Sequence, residues 1–223
     1  MYPKRLETRV KSFPLFAAAG GALLLGSCGP KTLALPEQPI DRAATCGVAA
    51  AAAARLAVTD VKAPLPLAAH GRIVHYALLA GTEGGEFSGE TASAVSRRMS
   101  ALQEGITRSK WQALAPACEA AYPAAVKTEI ALPESGLDAE LGCNELAEFL
   151  ITALEGQEHD YGNEIGGYRK LRLKLNDMIV SGLRARAGSD LKAQQNERRK
   201  ALAKAAQWGS PTAVMDRCID RFG

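Results

Sequence analysis

The stretch Leu146-Ala-Glu-Phe-Leu-Ile-Thr-Ala-Leu154 carries the clearest sign of how this chain folds. Its apolar residues recur at the spacing i, i+3, i+4, i+7 and i+8, which places them along one face of an α-helix. The same periodicity continues downstream at Tyr168, Leu171, Leu175, Met178, Ile179 and Leu183. Two consecutive amphipathic helices, with no alternating strand pattern between them, predict an all-α domain.

Capping and breaking residues divide the rest of the chain into further helices. The predicted helices cover about 42–58, 67–80, 88–106, 109–122, 138–154, 163–187, 190–207 and 211–222. Asp41, Ser88, Ser109, Asn163 and Ser210 are the expected N-caps. Prolines and glycines predict loops at 59–66 and 124–136, and Val126–Leu132 could form a strand but has no partner strand in the sequence. We therefore expect a helical bundle with four helices in each half.

The two halves share a pattern that predicts a degenerate duplication. At an offset of one hundred positions, five residues of the first half are identical to residues of the second half. They are Arg98, Ala101, Leu102, Ala113 and Cys118, matched by Arg198, Ala201, Leu202, Ala213 and Cys218. The predicted organisation is a first helical repeat at 41–123, a linker at 124–136 and a second repeat at 137–223.

The N-terminal segment has the three parts of an export signal. Residues 1–12 contain four basic side chains, residues 13–25 form an uninterrupted apolar run, and the small residues Gly26 and Ser27 precede Cys28. The apolar run is too short to span a bilayer as a permanent helix. This order of basic, apolar and small residues predicts a signal peptide that is removed during export.

The end of this signal, Leu25-Gly26-Ser27-Cys28, resembles the lipobox of bacterial lipoproteins. The resemblance implies that residues 1–27 are cleaved off and that the Cys28 thiol receives a diacylglycerol group. It also implies that the new amino group of Cys28 is acylated and that palmitate is among the attached fatty acids. In the Gram-negative sorting pattern that comes with this resemblance, an aspartate directly after the lipidated cysteine retains a lipoprotein in the inner membrane. Gly29 stands at this position instead, which implies the outer membrane of a Gram-negative cell, with the protein facing the periplasm. Three prolines in 28–40 predict a partly extended tether between this lipid anchor and the folded domain.

Four further cysteines, Cys46, Cys118, Cys143 and Cys218, are an even number in an exported chain and predict two disulfide bonds. The separations of 72 and 75 positions favour Cys46–Cys118 and Cys143–Cys218, and the main alternative is Cys46–Cys218 with Cys118–Cys143. No two of these cysteines form a Cys-x-x-Cys pair, which argues against a thioredoxin-type redox site, a zinc ribbon and covalent haem.

The charge balance argues against a nucleic-acid partner. Removal of residues 1–27 takes away four of the 27 basic side chains and one of the 24 acidic ones, so the mature chain carries 23 of each. A nucleic-acid-binding surface draws its affinity from an excess of Lys and Arg. The partners that we expect are the membrane, through Cys28, and a protein or other component of the cell envelope.

Few residues suggest catalysis or a bound cofactor. The best polar cluster comprises Glu155, Glu158, His159, Asp160 and Glu164. We expect a solvated loop there, and the alternative is an enzyme or small-ligand site built around His159 from distant helices. His70 or His75 could bind haem together with Met99 or Met178, but a lone His near apolar residues is more often packed or solvent-facing.

Other conspicuous segments have simple structural interpretations. The glycine-rich segment 81–89 has glutamates and no lysine, which excludes a phosphate-binding loop. Arg198, Arg199, Lys200 and Lys204 could contact anionic lipid, but the neutral mature chain favours a solvated helix face. The stretch from Tyr161 to Tyr168, with Gly166 and Gly167 between them, could be a binding edge, but a helix start packed on the core is the favoured interpretation. The sequence predicts a non-catalytic binding or scaffold module without cofactor or metal.

Overall fold

The structure is a computed structural model that describes residues 33–60 and 62–223. These residues form eight α-helices and two short 3₁₀ turns, Trp111–Leu114 and Pro123–Ala125. The helices are α1 (Pro39–Leu56), α2 (Leu67–Gly81), α3 (Gly89–Thr107), α4 (Ala115–Ala121), α5 (Gly136–Ala153), α6 (Glu158–Ala187), α7 (Leu191–Ala205) and α8 (Pro211–Phe222). The described part of the chain contains no strand, and residues 127–133 run without helix or strand.

The prediction of an all-α bundle is confirmed. Ser88 caps α3 as expected, because its hydroxyl oxygen accepts a hydrogen bond from the Thr91 amide at 3.2 Å. Ser210 and Pro211 begin α8, where proline fits the first turn because that turn needs no amide donor. Short local signals therefore located these two helix starts correctly.

Helices α1 and α6 begin three or more residues earlier than the sequence predicts. Pro39 starts α1, so Asp41 lies in the first turn instead of capping it, where its charge still favours the helix dipole. Glu158 starts α6, and a non-helical backbone at Tyr161 interrupts it before the long regular part. The Tyr161 hydroxyl donates a 2.6 Å hydrogen bond to the Leu65 carbonyl, a contact across 96 positions that no local signal predicts.

The largest hydrophobic core draws on both halves of the chain. Leu78 and Leu114 from the first half, and Leu146, Leu150 and Met215 from the second, are at most 1% exposed and belong to one cluster. Two smaller clusters surround Ile179 and Ile165 on the inner side of α6. The two halves therefore stabilise each other by burying apolar surface together.

Each half of the chain contains one disulfide bond, and the two bonds join equivalent pairs of helices. Cys46 of α1 is bonded to Cys118 of α4, and Cys143 of α5 is bonded to Cys218 of α8. In each half the bond therefore connects the first helix to the fourth. This is the within-half pairing that the sequence separations favoured.

In the first helix of each half, a glycine lies next to the disulfide-bonded cysteine. A large side chain from a later part of the same half packs against this glycine. A Cβ atom at Gly47 would overlap the end of the Met99 side chain, and one at Gly142 would overlap the indole of Trp208. An arginine also ties the third helix to the first in both halves, because Arg98 pairs with Asp41 at 2.7 Å and Arg198 with Glu145 at 2.6 Å. These parallels are compatible with a duplication, which stays a prediction.

The first described residues, 33–38, lie against the helical bundle. Leu33 and Leu35 pack against the main core, so residues 33–38 do not form the free spacer that the predicted tether 28–40 implies. Apolar side chains at alternate positions explain this packing, since an extended segment directs every second residue to one side. The predicted signal peptide, the lipobox and Cys28 lie outside the described residues. None of the described helices is long and apolar enough to cross a membrane.

Candidate functional site

An apolar groove lies beside α1, and we call it the alanine groove. Its volume is about 460 Å³. It is lined by Cys46, Ala49, Ala50, Ala53, Ala54, Ala57, Pro66, Ala68, Ala69, Arg72, Tyr76, Trp111, Ala115, Cys118, Glu119 and Val126. Half of these residues are alanines, and such small side chains let another backbone approach closely. The arrangement suits an apolar helix or peptide segment.

A second groove lies on the other side of the same helix and has a volume of about 360 Å³. It is lined by Gly47, Val48, Ala51, Ala52, Arg55, Leu65, Ile73, Met99, Ser100, Gln103 and Thr107. Every residue from Cys46 to Arg55 lines one groove or the other. This half of α1 therefore forms a wall of both apolar depressions, and most of its side chains are small.

Charged groups at the alanine groove are few and of opposite sign. Arg72 and Glu119 both line it, and both are exposed. Burial raises the pKa of the nearby Tyr76 phenol, so this group stays protonated and neutral at physiological pH. With one cation, one anion and a neutral phenol, the groove favours an apolar ligand over a strongly charged one.

The polar cluster around His159 lies in solvent. Glu155 lies in the turn between α5 and α6, whereas Glu158, His159, Asp160 and Glu164 lie in the first part of α6, and all five are exposed. The His159 side chain is 92% exposed and its Nδ1 lies 2.9 Å from an Asp160 carboxylate oxygen. Within the described residues, no group of three or more His, Cys, Asp or Glu side chains is placed to hold a metal ion. The cluster is therefore solvated, as the sequence predicts, although four of its five residues are helical instead of forming a loop.

Replacing His159 with alanine is expected to change the free energy of unfolding by no more than about 0.5 kcal/mol, because an exposed side chain makes few contacts. Any cellular phenotype of the protein should also persist in this variant. Denaturant unfolding together with a complementation assay measures both. A lost phenotype with an unchanged unfolding curve would favour the enzyme alternative.

His70 and His75 are both occupied by structural contacts. The His70 ring packs edge-on against the Tyr161 ring at 5.7 Å between centroids, and burial lowers its pKa. His75 is 0% exposed, and its Nε2 donates a 2.8 Å hydrogen bond to the Ala206 carbonyl. Met99 packs at Gly47, while Met178 is exposed on α6. With its Nε2 engaged and its ring enclosed, His75 is not available as an axial haem ligand.

The basic run of α7 forms salt bridges between helices. Arg198 pairs with Glu145, and Arg199 pairs with Glu86 at 2.6 Å. Lys200 lies 3.2 Å from Glu197 of its own helix and 3.9 Å from Glu86. These side chains therefore connect α7 to α5 and to the turn before α3. The run that could have contacted anionic lipid instead fixes three elements relative to one another.

Comparisons with known proteins return no relative. No family model matches the chain, no curated protein matches it, and no solved structure matches it.

The alanine groove is the feature that reasoning from the sequence missed. The Ala-rich composition of residues 49–54 by itself indicates that another helix can approach α1 closely. In the structure, α2, α3 and α4 pack against α1, but they leave an apolar groove on each of two sides of it. Local composition indicated the close approach, whereas the place of each neighbouring helix depends on tertiary packing.

Proposed function

We propose that this protein is a membrane-anchored lipoprotein of the bacterial cell envelope whose helical bundle is a non-catalytic binding or scaffold module. The lipid group on Cys28 would hold it at the outer membrane, facing the periplasm in a Gram-negative cell. The alanine groove would bind an apolar helix or peptide of an envelope protein.

The observation that carries the binding role is the pair of apolar grooves that share α1 as a wall. An apolar segment laid against small residues buries surface on both partners at about 25 cal/mol per Å². Helix-in-groove recognition of this kind needs a preformed depression with few charges. The Cys46–Cys118 disulfide lines the alanine groove and constrains its shape, which lowers the entropic cost of binding.

The anchor is tested by replacing Cys28 with alanine. The expected result is an unprocessed precursor without lipid mass, because the thiol is the site at which the diacylglycerol group is attached. Intact-mass spectrometry of membrane fractions measures this, with the unaltered chain as the control. A correctly cleaved Cys28→Ala protein, or an unaltered chain without lipid, would contradict the proposed lipoprotein.

The groove is tested by placing a charge inside it. Ala53→Arg puts a guanidinium in the alanine groove and should abolish capture of the partner from envelope extract, because burying an unpaired charge is costly. Leu56→Arg is the matched control, since Leu56 lies three residues away on the same helix, is 73% exposed and lines neither groove. Equal capture by both variants would rule out the groove as the binding site.

A further inference from the structure

The first regular part of α6 contains glycines that the bundle itself does not require. Gly162, Gly166 and Gly167 have no other part of the described chain within 4 Å of the position that a Cβ would occupy, and none has a positive φ. A glycine in the middle of a helix destabilises it relative to alanine. Neither intramolecular packing nor backbone conformation accounts for these three residues.

Two of these glycines begin a stripe on the outer face of α6. Measured from Leu173, the stripe contains the residues at positions −11, −7, −4, 0, +4, +7 and +11, which lie within about 40° of one line along a helix with 3.6 residues per turn. They are Gly162, Gly166, Arg169, Leu173, Asp177, Val180 and Arg184. Leu173 is 69% exposed and Val180 is 62% exposed. This outer face is separate from the inner one, where Leu175 and Ile179 are buried.

The stripe is complementary to itself when two copies of α6 run antiparallel. With the two Leu173 residues facing each other, each residue at +n faces the residue at −n of the second copy. Arg169 then faces Asp177, so opposite charges meet on both sides of the centre. Val180 faces Gly166, so a branched side chain meets the open space at a glycine. Charge and shape thus agree in one register.

We propose that this face of α6 is a symmetric homodimer interface, formed by two antiparallel copies of the helix centred on Leu173. The only ion pair that Arg169 makes within the described chain is with Glu158 at 3.6 Å, between two side chains that are about half exposed. Such a surface pair contributes little to stability. Arg169 is therefore able to pair with Asp177 of the second copy.

Cysteine cross-linking on membranes from cells that express the full chain tests the register. Leu173→Cys should give a disulfide-linked dimer under mild oxidation, because the two Cα atoms face each other across the symmetry axis. Val180→Cys is the matched control on the same face. In the proposed register the two copies of position 180 are fourteen helix positions apart, about 21 Å, well beyond disulfide reach. Equal cross-linking of the Val180→Cys and Leu173→Cys variants, or none in either variant, would overturn the proposal.

Charge exchange tests the pairing, with sedimentation of the full chain solubilised in detergent. Asp177→Arg should convert the dimer to monomer, since two pairs of arginines then oppose each other. The double variant Arg169→Asp/Asp177→Arg should restore the dimer. A monomeric parent protein at the highest soluble concentration, or a double variant that stays monomeric, would contradict the pairing.

Gly166→Leu separates dimerisation from folding. The space around Gly166 is open in a single copy, so the substitution should leave the thermal unfolding temperature unchanged or raise it. In the dimer, the leucine would occupy the space that Val180 of the second copy needs, and the dimer should be lost. The cross-linking and sedimentation readouts do not depend on whether the alanine groove binds a partner. A dimer that survives Gly166→Leu would argue against the interface.

Discussion

Replacing Cys143 and Cys218 together with alanine is expected to lower the free energy of unfolding by about 4 kcal/mol. The bond closes a loop with a sequence separation of 75 positions, so its loss restores much conformational freedom to the unfolded chain. Replacing Cys46 and Cys118, which are 72 positions apart, should cost a similar amount. Because a domain is typically stable by only about 5–15 kcal/mol, loss of both bonds should leave much of the protein unfolded.

Guanidinium unfolding of the two double variants and of the unaltered domain measures these losses. Reduction of the unaltered domain by dithiothreitol gives an independent estimate without any substitution. An unfolding midpoint that does not change on reduction, or four free thiols found by alkylation and mass spectrometry, would contradict the expected stabilisation.

The pairing itself has a separate test. A protease site placed in the exposed segment at Lys127–Glu129 allows the chain to be cut between the halves. Because neither disulfide crosses this point, a non-reducing denaturing gel should show two separate fragments. The alternative pairing, Cys46–Cys218 with Cys118–Cys143, would hold the fragments together until a reductant is added.

Acid is expected to destabilise the bundle through His75. Burial lowers the pKa of this side chain from 6.5 to about 4, although the hydrogen bond to the Ala206 carbonyl partly opposes the shift. The unfolded chain therefore takes up a proton near pH 6.5, whereas the folded chain does so only near pH 4. The contribution of His75 to the free energy of unfolding is fully present above about pH 6.5. It is lost as the pH drops towards 4, and the total loss is on the order of 3 kcal/mol.

The lowered pKa of His75 has a structural reason, because a second proton on the imidazole ring would have no hydrogen-bond acceptor. Nε2 already donates to Ala206, and Nδ1 is buried with no hydrogen-bond partner in the described chain. His75→Gln keeps an amide donor for the Ala206 carbonyl but does not titrate in this range. Denaturant unfolding between pH 7 and 4 should show a weaker pH dependence for this variant. The exposed His159→Gln is the control, and equal pH dependence of all three proteins would contradict the assignment.

The sequence predicted the helices well because helix formation has local signals. The apolar stripe from Leu146 to Leu154 and the Ser88 cap are both visible within a few positions of the chain, and both were correctly placed. The cysteine separations also indicated the disulfides, since each bond joins the helices at the two ends of one half. Periodicity, caps and cysteine spacing were therefore sufficient for the fold class.

Contacts between distant segments could not be predicted in the same way. The His75–Ala206 hydrogen bond spans 131 positions, and the fit of Trp208 over Gly142 depends on how α5 and α7 pack. The alanine groove likewise depends on where α2 and α4 lie relative to α1. Each of these features results from packing in three dimensions, which a single sequence does not specify through local patterns.

If Cys28 carries the proposed lipid, the packing of Leu33 and Leu35 would limit the distance between the bundle and the membrane. With the proposed lipid on Cys28, only residues 28–32 remain as a spacer. Five residues span at most about 18 Å, even if they are fully extended. A partner of the alanine groove would therefore have to reside at the same membrane surface or extend down to it. The anchor would then select partners by location as well as by chemistry, because it confines the bundle to a thin layer above the lipid.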